Sequence, residues 1–259
     1  MGKMFGLEQK LFDQLTRLKE EYDLQGVKAE FEAEGSSFRD LVRLRRITDK
    51  LNVPLYLKIG GVEALRDIKD SLEVGVDGLI APMVESTFGL TKFVGGVASI
   101  YKDTEIHLSI NIETQYAVAG IEEILKLGEG RIDNITVGRT DLSSSYFDPK
   151  ITPDSDFILA LIERLSEKVL CTEMSMTVGG SLSKKSIEIF KCDIDKWSRL
   201  IQRLETRKLI LPTKAMLEKK NSISEALRFE ELYILSKKEM SDLFMESETA
   251  RLTRLKMRS

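Results

Sequence analysis

The sequence predicts an α/β fold, a closed (β/α)8 TIM-type barrel with an N-terminal helix and a C-terminal helical extension. Three observations lead there. Stretches of strict two-residue alternation are separated by helical patterns of 12 to 18 residues, which means βαβ units and a parallel sheet. The length, 259 residues, is usual for one such barrel. No GxGxxG or GxxxxGK[ST] loop follows the first strand, which argues against an open doubly wound sheet.

The elements follow in order. Residues 4 to 24 place Phe5, Leu11, Phe12, Leu15, Leu18 and Tyr22 at helical spacing. From Val27 the period changes to two: Val27, Ala29, Phe31 and Ala33 lie on one face, Lys28, Glu30, Glu32 and Glu34 on the other. This is a strand with one ionised face. Residues 36 to 52 read as a helix, 54 to 61 as a strand, 62 to 74 as a helix, and VDGLIAPMV as the next strand. The cycle continues with a helix near 86 to 102, strand 106 to 113, helix 115 to 128, strand 134 to 142, helix 154 to 168 and strand 170 to 177. Beyond it the pattern weakens, with RLIQ (199 to 202) and RKLIL (207 to 211) as candidates for the last strands and helix throughout 221 to 257. No repeat or linker divides the chain. It reads as a single domain over residues 1–259, the barrel at about 26–214 and C-terminal helices at about 215–259.

Composition narrows the function classes. With 42% apolar and 31% charged residues and no apolar run of 18, a globular protein without a membrane span is expected. The N-terminus has early charges and no apolar leader core, so a cytoplasmic location is expected. Cys171 and Cys192 have no metal-type spacing and are too few for a disulfide framework. A net charge of −3 leaves no broad basic field for nucleic acid, and the basic tail ARLTRLKMRS reads as a solvated helix end. His107 is the only histidine, so neither a Ser-His-Asp triad nor a multi-histidine zinc site can be assembled.

In a barrel the outward strand face packs on helices, so the polar positions must point inward. They include Lys28, Glu30, Glu32, Glu34, Tyr56, Lys58, His107, Ser109, Asn111, Glu113, Thr136, Glu173 and Ser175. Unpaired charges there would each cost several kcal/mol. Lys28 and Lys58 offset some of the carboxylates, and a bound divalent cation is the natural remainder; a closed Lys-Glu network without chemistry is the alternative. Because barrel sites lie at the C-terminal strand ends, Glu34, Glu113 and Asp141 are expected at the mouth, with Glu30 and His107 deep. Glu113 and Asp141 end consecutive parallel strands about 4.8 Å apart, so their carboxylates can share one cation, and two oxygen ligands plus water and substrate suit Mg2+ or Mn2+.

The stretches IETQYAVAGIEEIL (112 to 125) and RIDNITVGRTDLSSS (131 to 145) resemble the HpcH/HpaI aldolase and citrate lyase beta-subunit family of the phosphoenolpyruvate/pyruvate barrel superfamily. GVDGLIAPMVES (75 to 86) and KIGG (58 to 61) extend the similarity, which runs from about Val27 to Leu182. The resemblance implies Glu113 and Asp141 as ligands of Mg2+ or Mn2+. It implies a C-C lyase or aldolase in which the metal chelates the carboxylate and keto oxygen of a pyruvate-like oxo acid and stabilises an enolate, with an aldehyde or acyl compound as the second reactant. Lys58 stands where the family has an arginine and would offer positive charge to the enolate, as a point charge in place of a planar fork. Backbone N–H groups near Gly138 and Arg139 would hold the substrate carboxylate.

The family's D-x-E-H motif after the first strand aligns with Glu32, Ala33, Glu34 and Gly35, so the acid/base histidine is replaced by glycine. Either Glu34 is then the catalytic carboxylate, orienting a metal-bound water, or the substrate brings its own base, with Glu32 keeping the acidic pattern. TEMSMTVGG (172 to 180) and ETRK (205 to 208) are expected to shape a pocket, Glu173 and Ser175 pointing into it. Two alternatives stand beside the lyase: a synthase joining a three-carbon unit to a sugar or other metabolite, and a ligand-binding barrel without turnover. Residues 222 to 245 carry more apolar surface than one helix stripe requires, Leu227, Phe229, Leu232, Tyr233, Met240, Leu243 and Phe244 among it, which with the family's habit implies a homo-oligomer.

Overall fold

The computed structural model describes residues 4–258; the first three residues and Ser259, which the sequence reading includes in the domain and the basic tail, lie outside the described residues. Eight strands close a barrel in sequence order: β1 (Gly26–Glu30), β2 (Leu55–Lys58), β3 (Gly78–Ala81), β4 (His107–Ile112), β5 (Asn134–Gly138), β6 (Ser175–Gly179), β7 (Arg203–Glu205) and β8 (Leu209–Pro212). β1 to β7 run parallel, as expected. β8 does not: it pairs antiparallel with both β7 and β1. The physical reason is the connection. Only residues 206 to 208 join β7 to β8, enough for a hairpin and far too few for the crossover a parallel strand requires. The last two strands also start later than expected, since the 199 to 202 segment finishes a helix and β7 begins at Arg203.

Helices cover the outside: α1 (Leu7–Tyr22), α2 (Phe38–Lys50), α3 (Leu65–Val74), α4 (Thr87–Tyr101), α5 (Gln115–Ala119), α6 (Ile121–Gly128), α7 (Arg139–Ser144), α8 (Asp156–Val169), α9 (Lys184–Lys191), α10 (Ile194–Leu200), α11 (Thr213–Glu218) and α12 (Ser222–Lys256). Sequence chemistry sets several boundaries. Ser37 caps α2 in a reciprocal box with Asp40, Ser86 and Ser155 cap α4 and α8, and Gly75 in the left-handed region (φ 72°) ends α3. The expected helix at 115 to 128 is broken in two at Gly120. Outward strand residues Val27, Ala29, Leu55, Leu57, Leu79, Ile110, Ile112, Ile135, Val137, Met176 and Val178 are buried beneath these helices, as the alternation requires.

β1 is shorter than its alternating pattern. It ends at Glu30, and residues 31 to 35 turn away, so Glu30 sits at the mouth instead of deep in the barrel, and Glu32 and Glu34 diverge. α12 has two regimes. Its first four turns bury Ile223, Ala226, Phe229, Leu232 and Tyr233 against α1 and the barrel, whereas Leu243, Phe244, Met245, Leu252 and Leu255 are exposed on its distal half. Among the described residues no helix is long and apolar enough to cross a membrane. The division predicts opposite outcomes for two truncations of the same side chain type. Phe229→Ala should cost about 3–5 kcal/mol in chemical denaturation, and Phe244→Ala no more than about 0.5 kcal/mol in a monomeric sample.

Candidate active site at the barrel mouth

A cavity of about 440 Å3 opens at the C-terminal ends of the parallel strands. Its wall carries the carboxylates Glu30, Glu32, Glu113, Asp141, Glu205 and Glu230 against the cations Lys28, Lys58 and Arg207, so six negative groups face three positive ones. A larger cavity of about 710 Å3 lies at the opposite end, around Asp77, Glu105, His107 and Asp133. Two acids of that floor have structural roles: Asp77 accepts from Leu55 N–H and pairs with Arg45, and Asp133 accepts from Leu108 N–H. His107 belongs to it, its ring edge-on to Tyr56 (centroids 5.4 Å) and its Nδ1 3.7 Å from Asp133; burial keeps its pKa below the usual histidine value.

Glu113 follows the end of β4 and is the best-held group at the mouth. Its Oε1 accepts from Met83 N–H (2.9 Å), its Oε2 accepts from Asn111 Nδ2 (3.0 Å), and Lys58 Nζ lies 3.7 Å from Oε2. Only Gly138 allows this, because a Cβ there would stand 2.5 Å from Glu113 Oε2. Burial pushes the Glu113 carboxyl above the usual carboxylate range and Asp141 adds to the push, against the pull of Lys58 and the two hydrogen bonds. Asp141 is not at a strand end: it sits in the first turn of α7, one helical step beyond β5, and is exposed. The structure thus brings Glu113 and Asp141 into electrostatic contact across one rim of the cavity.

Asn111, beside Glu113, holds its Oδ1 buried without a hydrogen-bond partner. A two-carboxylate rim with an unpartnered amide oxygen and an excess of negative charge fits a hard divalent cation such as Mg2+ or Mn2+, which takes oxygen ligands and keeps positions open for water and substrate. Among the described residues no group of three or more His, Cys, Asp and Glu is placed to hold a metal ion, so any cation here would rest on two carboxylates with water or substrate.

Lys58, from the end of β2, reaches into the cavity with Nζ 2.7 Å from Glu32 and 3.7 Å from Glu113. Burial alone would lower its pKa, but Glu113 and Glu32 outweigh it, so the ammonium is held charged. Glu32 therefore stands at the site. Glu34 does not: it is ion-paired to the fully buried Lys208 and accepts from Ser36 Oγ, off the cavity wall. Burial lowers the Lys208 pKa against the pull of Glu34, and its Nζ lies 4.2 Å from the Tyr233 ring centroid on α12.

Glu173 and Ser175 are the clearest departure from expectation. Glu173 precedes β6 and is exposed at the floor cavity, and Ser175 starts β6 there, donating to Asn134 Oδ1 and Asp133 O. The strand begins five residues later than its 170 to 177 pattern suggests, so residues expected at its middle lie at its entrance. Gly138 lines the mouth, whereas the Arg139 side chain is fully buried behind it, donating to Gly179 O and Gly180 O and pairing with Asp154 at 2.7 Å. These bonds pin the β6 loop under α7, where Gly180 (φ 84°) passes so close that a Cβ would lie 2.6 Å from Thr140 N.

The opposite rim consists of residues that received no individual role in the sequence reading, although ETRK was expected to shape a pocket. Lys28 Nζ is buried between Glu205 (2.7 Å) and Glu30 (3.5 Å), and Arg207 Nη1 lies 3.2 Å from Glu30 with Nε 4.0 Å from Glu230 on α12. The polar alternation of β1 and the ETRK string were the available signals for Lys28, Glu30, Glu205 and Arg207. Nothing local signals Glu230 or Leu227, which arrive only when α12 folds back.

An eight-stranded α/β barrel with an ionised mouth is thus the class that fold and site define. Residues 58–153 match the HpcH/HpaI aldolase/citrate lyase family model, so the resemblance carried by 112 to 125 and 131 to 145 is upheld over the segment that holds Lys58, Glu113 and Asp141. The barrel is similar to that of an HpcH/HpaI aldolase from Desulfitobacterium hafniense DCB-2 (16% identity, TM-score 0.58, 75% of this chain and 82% of that one). It is similar as well to the citrate synthase SbnG (16% identity, TM-score 0.56, 84% and 85%) and to Haloferax volcanii malate synthase (11% identity, TM-score 0.58, 76% and 63%). No curated protein matches the sequence.

Arg139→Ala should destabilise the fold by about 3–5 kcal/mol in urea, because it leaves Asp154 and the two glycine carbonyls buried without their donor. A loss under 1 kcal/mol would contradict the structural role.

Proposed function

We propose that the chain is a divalent-metal-dependent C-C lyase or aldolase acting on a pyruvate-like oxo acid, with Glu113 and Asp141 holding Mg2+ or Mn2+. The observation that supports the reading is the charge imbalance at the mouth, six carboxylates against three cations, with Glu113 and Asp141 both inside the segment that matches the family model. When bound, the cation supplies Lewis acidity toward the oxo acid's oxygens. The remaining chemistry belongs to the chain. The N–H groups at the start of α7 face an incoming carboxylate, which favours the end of a helix with unsatisfied donors. Lys58 Nζ, kept charged by Glu32 and Glu113, stabilises negative charge developing on the substrate oxygen.

The proton on the carbon next to the keto group needs a base, and Gly35 removes the family's histidine. Glu32 takes that place in preference to Glu34, since it lines the cavity beside Lys58 while Glu34 lies off the cavity wall, paired with the buried Lys208. A synthase joining a three-carbon unit to a sugar or other metabolite is the second reading, favoured by Gly35 and using the same residues.

The distal half of α12 supports a homo-oligomer, through the exposed Leu243, Phe244 and Met245. A test by truncation has to cut beyond Ser236; a cut near Met216 would strip Phe229 and Tyr233 from the core as well. Deletion of residues 240 to 259 should convert the assembly seen by sedimentation into a folded monomer, and a monomeric intact chain of 29.4 kDa at micromolar concentration would contradict it.

Deuterium exchange into the pyruvate methyl group tests the reaction. Exchange should require Mn2+ or Mg2+, vanish with chelator, and be abolished in Glu113→Gln and Asp141→Asn. Glu32→Gln should slow it by about 10²-fold or more, the usual weight of a general base. Lys58→Ala should lower kcat more than it raises KM. Exchange that is absent, or indifferent to metal, contradicts the proposal.

A further inference from the structure

The barrel accounts for only part of α12. Up to Glu239, whose carboxylate accepts from Leu7 N–H at 2.8 Å, the helix is tied to α1. From Ser241 onward every described residue is exposed. A helical stretch of this length is marginal in water without packing, and Ser247, Thr249 and Thr253 weaken it further. Its apolar residues nevertheless keep a heptad register. Ser241, Glu248 and Leu255 share one core position, Phe244, Arg251 and Arg258 the other, and Met245 and Leu252 flank the seam on one side. Phe244, Met245, Leu252 and Leu255 are all more than half exposed. The seam begins in a groove of about 600 Å3 that Met240, Ser241 and Phe244 form with Phe38 and Val42 of α2.

The two charges at the centre of the seam decide what can cover it. Glu248 and Arg251 lie 3.8 Å apart within one chain and are largely exposed, so both keep acceptors and donors for a second contact. In a parallel pair of such helices like positions meet, and Glu248 would face Glu248 while Arg251 faced Arg251. Both contacts repel. In an antiparallel pair the two core positions meet each other, so Glu248 lies across from Arg251 of the second copy and Phe244 across from Leu255 of the second copy. The remaining charges agree: Asp242, Glu246 and Glu248 make the first half acidic, Arg251, Arg254 and Arg258 make the second half basic, and head-to-tail pairing lays each on its opposite. The end of the second helix then enters the groove beside Phe38 and Val42 and closes it.

We infer that the distal half of α12 docks a second copy of this chain, the two helices antiparallel about a two-fold axis near Thr249 and Ala250. The inference rests on the homo-oligomer reading and adds to it the partner element, its direction and its register. Sedimentation and spin-label distances on the full chain test it, with Cys171→Ser and Cys192→Ser removing the native thiols. Labels at Ala250→Cys, beside the axis, should be close in height on the two helices. Labels at Asp242→Cys should give a clearly longer distance, because those sites stand about 22 Å apart along the helix axis at 1.5 Å per residue. Glu248→Arg and Arg251→Glu should each weaken self-association at least about tenfold, and the double variant should return to within about threefold of the parent. Equal distances at both label positions, association unmoved by the single substitutions, or a double variant that stays dissociated would overturn this inference alone, with the parent still sedimenting as an oligomer. A parent chain that sediments as a monomer leaves the seam to another occupant and overturns both readings.

Discussion

Charge placed inside a barrel is the constraint from which the rest of this structure follows. A strand whose outward face must be apolar has one place left for polar side chains, and β1 puts Lys28 and Glu30 there. Each needs a partner in a medium that solvates it poorly. Lys28 takes Glu205 from β7, Glu30 takes Arg207, and Lys58 takes Glu32 and Glu113, so a belt of ion pairs runs around the mouth and links strands distant in sequence. The belt does not close on itself. Carboxylates remain in excess, and they are concentrated where Glu113 and Asp141 meet. An excess of negative charge around a buried carboxylate is unstable in isolation, which is the ground for the proposed cation site.

The antiparallel β8 shapes the other half of the mouth. A crossover after β7 would carry the chain to the outside and return it at the floor. The three-residue turn at 206 to 208 stays on top, placing Arg207 over the cavity and Lys208 beneath α12. Lys208 then draws in Glu34 and the Tyr233 ring, fastening α12 across the rim with Glu230 facing inward. The departure from the regular barrel and the composition of the cavity wall therefore have one cause. It also explains why the glutamate expected to be catalytic is not available: Glu34 serves as the counter-charge of a lysine that holds a helix.

Much of this was legible in the sequence, for a definite reason. Alternation in β1, β2 and β4 reports which side chains face inward, because period two and burial on one face leave little freedom. It yields the barrel, the polar interior, and Lys58 and Glu113 at one rim, whereas Asp141 was read from the resemblance and from a strand 134 to 142 that in fact ends at Gly138. Strand ends were less legible, since the alternation of 27 to 34 continues into a turn and that of 170 to 177 starts before its strand. Glu34, Glu173 and Ser175 were misplaced on that account. The direction of β8 depends on the length of a turn, which the short RKLIL pattern does not reveal. Glu230 received no role from the sequence, because its place at the mouth depends on α12 folding back onto the barrel, a contact with no local signature.

The claim on which the account stands is that the excess charge at the mouth, and not the larger acidic cavity at the floor, is the cation site. Anomalous diffraction at the manganese edge from crystals soaked in Mn2+ tests it directly. The account predicts a single strong peak in contact with Glu113 and Asp141, absent from crystals of Glu113→Gln. A peak among Asp77, Glu105 and Asp133 with none at the mouth, or no ordered manganese at millimolar concentration, would contradict it.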